Sequence, residues 1–165
     1  MTPLPVVESE GLAMNRSYSA PEFRRVGGLA IAAGSILVAA GASAWGVVTR
    51  QLRDENITVP DHAPFLPGKR VQDPMTAFAQ SEAIKGNAER IAGGRTFSDV
   101  SDALRKVEKG SDEEQRLKQQ SETLSAAAAL RTSLMTSVLA YGVAAFAAGL
   151  GVMLAAAGSQ LRRAR

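Results

Sequence analysis

Two stretches of the chain run without a charged side chain, Val26 to Val48 and Ser133 to Ala157. Between and beyond them the residues are charged, proline-rich or punctuated by glycine. At about 1.5 Å rise per helical residue each stretch reaches roughly 34–38 Å, enough to cross a hydrocarbon core of about 30 Å with some tilt. This predicts an all-α membrane protein, a two-span transmembrane helical hairpin with a mostly helical extracytoplasmic loop and a long stalk-like second helix. The divisions are a cytoplasmic N-terminal tail over 1–25, a first span over 26–49, the loop over 50–131, a second span over 132–157 and a basic cytoplasmic tail over 158–165.

The loop is expected to be helical with one exception. The first helix should continue past Arg50 to about Glu55. Pro60, Pro64 and Pro67 then exclude helix between Ile57 and Val71, because each pushes its preceding residue to extended geometry. Phe65 and Leu66 in this segment should lie over the loop helices or the membrane surface. Asp73-Pro74 reads as an N-cap followed by proline at the first helical position, opening a helix to Ile91 that Gly93-Gly94 stops. Ala77, Ile84, Ala88 and Ile91 share a face of it, with Phe78 beside them. A shorter helix, capped by Ser98, carries Phe97, Val100, Leu104 and Val107 at three-and-four spacing and ends at Gly110.

Ser111-Asp112-Glu113-Glu114 has the form of a capping box. No Gly or Pro follows until Gly142, so one continuous helix is predicted from about Asp112 through the second span, more than 45 residues and about 70 Å. Leu117 and Leu124, a heptad apart on its stalk, offer a seat for a partner helix. The mixed charges from Arg105 to Lys118 read as a solvated face with i,i+4 pairs. Large apolar side chains are few, so the loop cannot bury much core by itself.

The spans are built from Ala and Gly more than from Leu and Ile. Gly27, Gly34 and Gly41 recur every seven residues, and Gly142, Ala145, Gly149 and Ala156 repeat similarly in the second span. Small faces let helix backbones approach closely, so dispersion can replace the hydrophobic force that lipid removes. Gly27, Gly34, Gly41, Gly142 and Gly149 are thus the candidate packing residues, either between the two spans or against a partner. Trp45 fits an interfacial aromatic position. Tyr141 and Phe146 are expected to be more buried, with Ser43 a possible partner of the Tyr141 hydroxyl. No ionisable residue interrupts either span, which argues against a channel or transporter acting alone.

Charge supplies an orientation. The net charge is +3, and the loop from Arg50 to Arg131 holds 13 basic and 13 acidic residues. The N-terminal tail balances Arg16, Arg24 and Arg25 against Glu8, Glu10 and Glu22, so the excess is Arg162, Arg163 and Arg165. Arg24 and Arg25 precede the first span and the C-terminal arginines follow the second, so both termini are expected in the cytoplasm and the chain in the plasma membrane. Arg50, Arg53 and Arg131 at the loop ends reduce that contrast. A rival reading takes Arg24-Arg25, the apolar run and Ala42-Ser43-Ala44 as a signal peptide cleaved after Ala44. The run's continuation through Trp45 to Val48 weighs against it, and Gly27-Gly28 sit where a twin-arginine signal wants bulky residues. A pI of 9.6 brings no basic patch with interleaved aromatics, so no nucleic acid is expected as a partner.

Candidate chemistry is sparse. The chain lacks Cys and has one His, His62, near Asp61 and Asp73. That is no metal-ligand set, and no phosphate loop, nucleophile elbow or H-E-x-x-H occurs. Asn56-Ile57-Thr58 matches a glycosylation acceptor. No catalytic residue, cofactor or metal is expected.

Asp54-Glu55-Asn56-Ile57-Thr58-Val59-Pro60, Ala63-Pro64-Phe65 and Asp73-Pro74 form one group of motifs. Leu130-Arg131-Thr132-Ser133-Leu134-Met135-Thr136-Ser137-Val138 before a Gly/Ala-rich span forms another. Together, over Arg50 to Ala157, they resemble a family of small actinobacterial two-span membrane proteins without an established biochemical role, often labelled aromatic ring-opening dioxygenases. The residues disagree with that label, because such chemistry typically needs iron on two His and a carboxylate. The resemblance implies an envelope protein and brings no site residues. The expected function is a non-enzymatic accessory or scaffold subunit of a cell-envelope complex, held by the lipid bilayer and by a membrane protein partner or self-association. The alternative is lipid or small-molecule binding at the outer membrane–water interface, on the apolar faces around Phe65, Phe78, Phe97 and Leu104.

Overall fold

A computed structural model describes residues 20–163. The N-terminal tail before residue 20 and Arg165 lie outside the described residues. Four helices, α1 (Ala20–Asp54), α2 (Pro74–Ile91), α3 (Phe97–Lys106) and α4 (Asp112–Arg163), make up the fold, with no strand among the described residues. Both α1 and α4 are long and apolar enough to cross a membrane.

Local chemistry accounts for where the loop helices begin. Asp73 Oδ1 accepts from the amides of Met75 and Thr76 at 3.0 and 2.9 Å, and Thr76 Oγ1 accepts from the Asp73 amide at 3.2 Å. This reciprocal cap and Pro74 at the first position open α2. Gly93 and Gly94, at φ 63° and 78°, then turn the chain back through left-handed conformations that side chains resist. The cap of α3 is Thr96, not the expected Ser98. Asp99 decides this: its carboxylate accepts from the Thr96 amide at 2.9 Å and its amide donates to Thr96 Oγ1 at 3.2 Å. Asp99 stands three residues after Thr96, the spacing at which a side-chain acceptor closes that box. The same bonds from Thr96, with Arg95 nearby, hold the Asp99 carboxyl below the usual carboxylate range.

The start of α4 is a variant box. Ser111 Oγ accepts from the Glu114 amide at 3.1 Å, but the Glu114 carboxylate reaches past Ser111 to the Gly110 amide at 2.6 Å. Lys118 at 2.7 Å and that amide hold the Glu114 carboxyl below its ordinary value. From there α4 runs 52 residues without a break, about 78 Å.

All helix–helix packing passes through α4, against which α1, α2 and α3 each lie. The proline-rich segment folds back on itself. Val59 and Val71 donate to the carbonyls of Lys69 and Ile57, both at 2.9 Å, and Gly68 donates to Val59 at 2.9 Å. Val59 and Val71 are thereby buried with Leu52, Ala63, Ala77, Ala79, Ala83, Leu134 and Tyr141 in one core, against which Leu66 packs while Phe65 stays exposed. α2 packs on α4, and its Ala77, Ser81 and Ala88 are buried with Ala92 at its C-cap, while Ile91 stays outside, contrary to expectation.

Candidate functional site

The feature that organises the apolar helices is the contact of α1 with α4. Gly27 faces Gly158, Gly34 faces Gly151, and Gly41 faces Ala144, the numbers rising by seven on one helix as they fall by seven on the other. A Cβ built on Gly27 would lie 2.6 Å from the Gly158 carbonyl oxygen, and one on Gly158 2.6 Å from the Gly27 carbonyl oxygen. Gly34 and Gly151 stand in the same reciprocal relation, and a Cβ on Gly41 would meet the Ala144 oxygen at 2.5 Å. No methyl group fits at such distances. The glycine α-hydrogens are aimed at the opposite carbonyls, the arrangement of the weak Cα–H···O bonds found where helix backbones touch.

Of the residues singled out from sequence, Gly27, Gly34 and Gly41 lie on this seam. Gly142 and Gly149 do not: both are exposed, and a Cβ on either meets nothing within 4 Å. The α4 glycines on the seam are Gly151 and Gly158, which are not among those candidates. The signal for them was available, since Ala144, Gly151 and Gly158 also form a seven-residue small repeat. In an alanine-rich helix several such repeats coexist, and periodicity alone does not choose among them.

The seam ends at a polar junction. Tyr141, 1 % exposed, donates to the Gln72 carbonyl at 3.2 Å. Its oxygen lies 2.8 Å from Thr49 Oγ1; with the tyrosine proton engaged by Gln72, Thr49 is the donor. Trp45 packs edge-on against the ring, centroids 4.6 Å apart. One side chain thus ties α1, α4 and the loop together. Its partner is Thr49, not Ser43, because Tyr141 stands at the level where the loop rests on the helix pair. Phe146, beyond Tyr141 within the second span, is 72 % exposed on the outer surface of the pair.

At the far end, Arg24, Arg25 and Arg162 surround an open recess floored by Gly28 and Leu29, and the Arg162 stem lies beside Gly27. Arg163 is exposed nearby on α4. The helix pair therefore carries a basic collar at one end and the loop at the other. Between Thr49/Tyr141 and these arginines, α4 offers 21 residues from Tyr141 to Leu161, about 31 Å.

The outer surface of the pair is apolar and uncovered. Only 17 % of the most apolar window of either helix is buried. Leu29 and Ile36 on α1, and Leu139, Phe146 and Met153 on α4, are each about two-thirds or more exposed. Gly142, Phe146, Gly149 and Met153 line up on one face of α4, small alternating with large.

In the loop, His62 is exposed, its Nε2 3.5 Å from Arg90 Nη2, and no cluster of three His, Cys, Asp or Glu able to hold a metal occurs among the described residues. Phe97 and Leu124 line a cavity between α2, α3 and α4. Phe65, Phe78 and Leu104 do not line it, so the four apolar residues expected to share one groove are not gathered there. Compared with known protein families, curated proteins and solved structures, the chain matches none.

Proposed function

We propose that the chain is a two-span plasma-membrane protein serving as a non-enzymatic accessory or scaffold subunit of a cell-envelope complex, with both termini cytoplasmic and the loop outside. One observation carries this reading: the two helices satisfy each other along a glycine seam yet leave their remaining apolar faces uncovered. In water such exposed apolar area costs about 25 cal/mol per Å², so it belongs in lipid or against another protein. The interval between the Thr49–Tyr141 junction and the arginine collar matches a hydrocarbon core of about 30 Å. Arginines gather at the collar, whereas the charges of the loop balance, which favours the collar as the cytoplasmic side. The face of Gly142, Phe146, Gly149 and Met153 supplies knobs and hollows for a partner helix.

The chain lacks cysteine, so single cysteines report topology on a clean background. A cysteine replacing Glu89 should react with a membrane-impermeant maleimide on intact cells, and one replacing Arg163 only after permeabilisation. The opposite pattern overturns the orientation. For the scaffold role, tagged wild type and Gly149→Leu are purified from the native host in mild detergent and their co-purifying proteins identified by mass spectrometry. Wild type should bring a stoichiometric membrane protein that Gly149→Leu loses. Identical or bare preparations defeat the scaffold reading.

A further inference from the structure

We infer that the cavity between α2, α3 and the stalk of α4 binds an organic anion with a compact apolar body, such as an aryl phosphate or aryl carboxylate. The cavity measures about 400 Å³, within the range of small-molecule sites. It exists because of what its walls lack. Ala88, Gly94, Ala127 and Ala128 leave a hollow, and the left-handed Gly93–Gly94 turn swings Arg95 to Phe97 across it. Phe97 and Leu124 supply an apolar surface.

Three cations line this hollow, Lys85 from α2, Arg95 from the turn and Arg131 from α4, against one carboxylate, Glu89. Arg131 is the most telling. One end of its guanidinium reaches Glu82 Oε1 at 3.5 Å, while its Nε–H is buried with no acceptor. Arg131 thus keeps hydrogen-bonding capacity on its guanidinium that Glu82 does not use. Lys85 and Arg95 form no ion pair among the described residues. Asp99, the α3 carboxylate that feels the Arg95 charge, is held by Thr96. The positive end of α3 opens at the same wall, through Thr96 and Phe97.

Along α4 the lining residues Leu124 to Arg131 lie about 15–25 Å from Tyr141, on the aqueous side of the polar junction. This distance favours a water-soluble anion over a lipid held in the bilayer. It also makes the site independent of the scaffold reading.

The test is calorimetric titration of the full chain in nanodiscs with 1-naphthyl phosphate and 1-naphthoate, empty nanodiscs serving as the blank. Saturable binding at a stoichiometry of one is expected. Inorganic phosphate and neutral 1-naphthol should each bind at least tenfold more weakly. Lys85→Gln with Arg95→Gln should weaken binding at least tenfold, and Ala128→Phe should abolish it by filling the hollow. These three residues are not part of the helix core, so circular dichroism and the melting temperature should match wild type. Absence of saturable binding by either aryl anion, equal binding of naphthol, equal binding of inorganic phosphate, or indifference to these variants would each overturn the assignment.

Discussion

Replacing Gly34 with alanine adds one methyl group where the two long helices touch. The new carbon would collide with the Gly151 carbonyl oxygen and lie 2.8 Å from the Ala155 nitrogen and 3.2 Å from the Ala155 Cβ. The two closest groups are backbone, so no change of rotamer makes room and the helices must separate. Overpacking of this kind costs about 1–3 kcal/mol. Separation also weakens the reciprocal Cα–H···O contacts, each about 0.5–1 kcal/mol. Alanine's better helix propensity returns up to about 1 kcal/mol. The net expectation is a loss of about 1–3 kcal/mol. Gly149→Ala adds the same methyl to open space and retains only the propensity term, so it should be neutral or slightly stabilising. The assay is reversible unfolding in mixed micelles, followed by fluorescence of Trp45, the one tryptophan, which packs against Tyr141 beside the seam. Equal effects of Gly34→Ala and Gly149→Ala, or a more stable Gly34→Ala, would refute the assignment of the seam.

Three further outcomes are expected. Tyr141→Phe removes the hydroxyl that joins Thr49 to the Gln72 carbonyl and should cost about 1–3 kcal/mol in the same assay, with increased amide exchange in the segment after Pro60; unchanged exchange would show that the junction does not hold the loop. Thr96→Ala removes the α3 cap and should cost about 1 kcal/mol locally, seen as faster exchange of α3 amides and no change in α1. Because the Glu114 carboxyl is held below its ordinary value, its contribution at the start of α4 is present above the unfolded glutamate value and lost as pH falls through the lower folded one. The Gly110 amide resonance should therefore titrate with a midpoint below that of an ordinary glutamate, and the titration should vanish in Glu114→Gln.

What the chain discloses without its fold is whatever depends on neighbours in sequence. The two apolar helices, the cap at Asp73-Pro74, the stop at Gly93-Gly94 and the unbroken run of α4 from Asp112 all follow from charge-free length, side-chain-to-amide bonds and the absence of breakers. Thr96 belongs with these, since Asp99 three residues later marks it as the cap, although Ser98 is equally plausible by residue type alone. The meeting of α1 and α4 is of another kind. Gly142 with Gly149, and Gly151 with Gly158, offer equivalent small repeats on different faces of one helix. Choosing between them requires long-range constraints: Tyr141 reaching Thr49 and Gln72, and Leu134 joining Leu52, Val59 and Val71 in the loop core. Those contacts orient α4 so that Ala144, Gly151 and Gly158 face α1, and Gly142 and Gly149 face outward. The cavity beside Arg131 is likewise tertiary, because its walls come from three separated segments that only packing on α4 brings together. Composition thus determines that two helices can lie against each other closely, and the summed contacts of the remaining chain determine which faces do so.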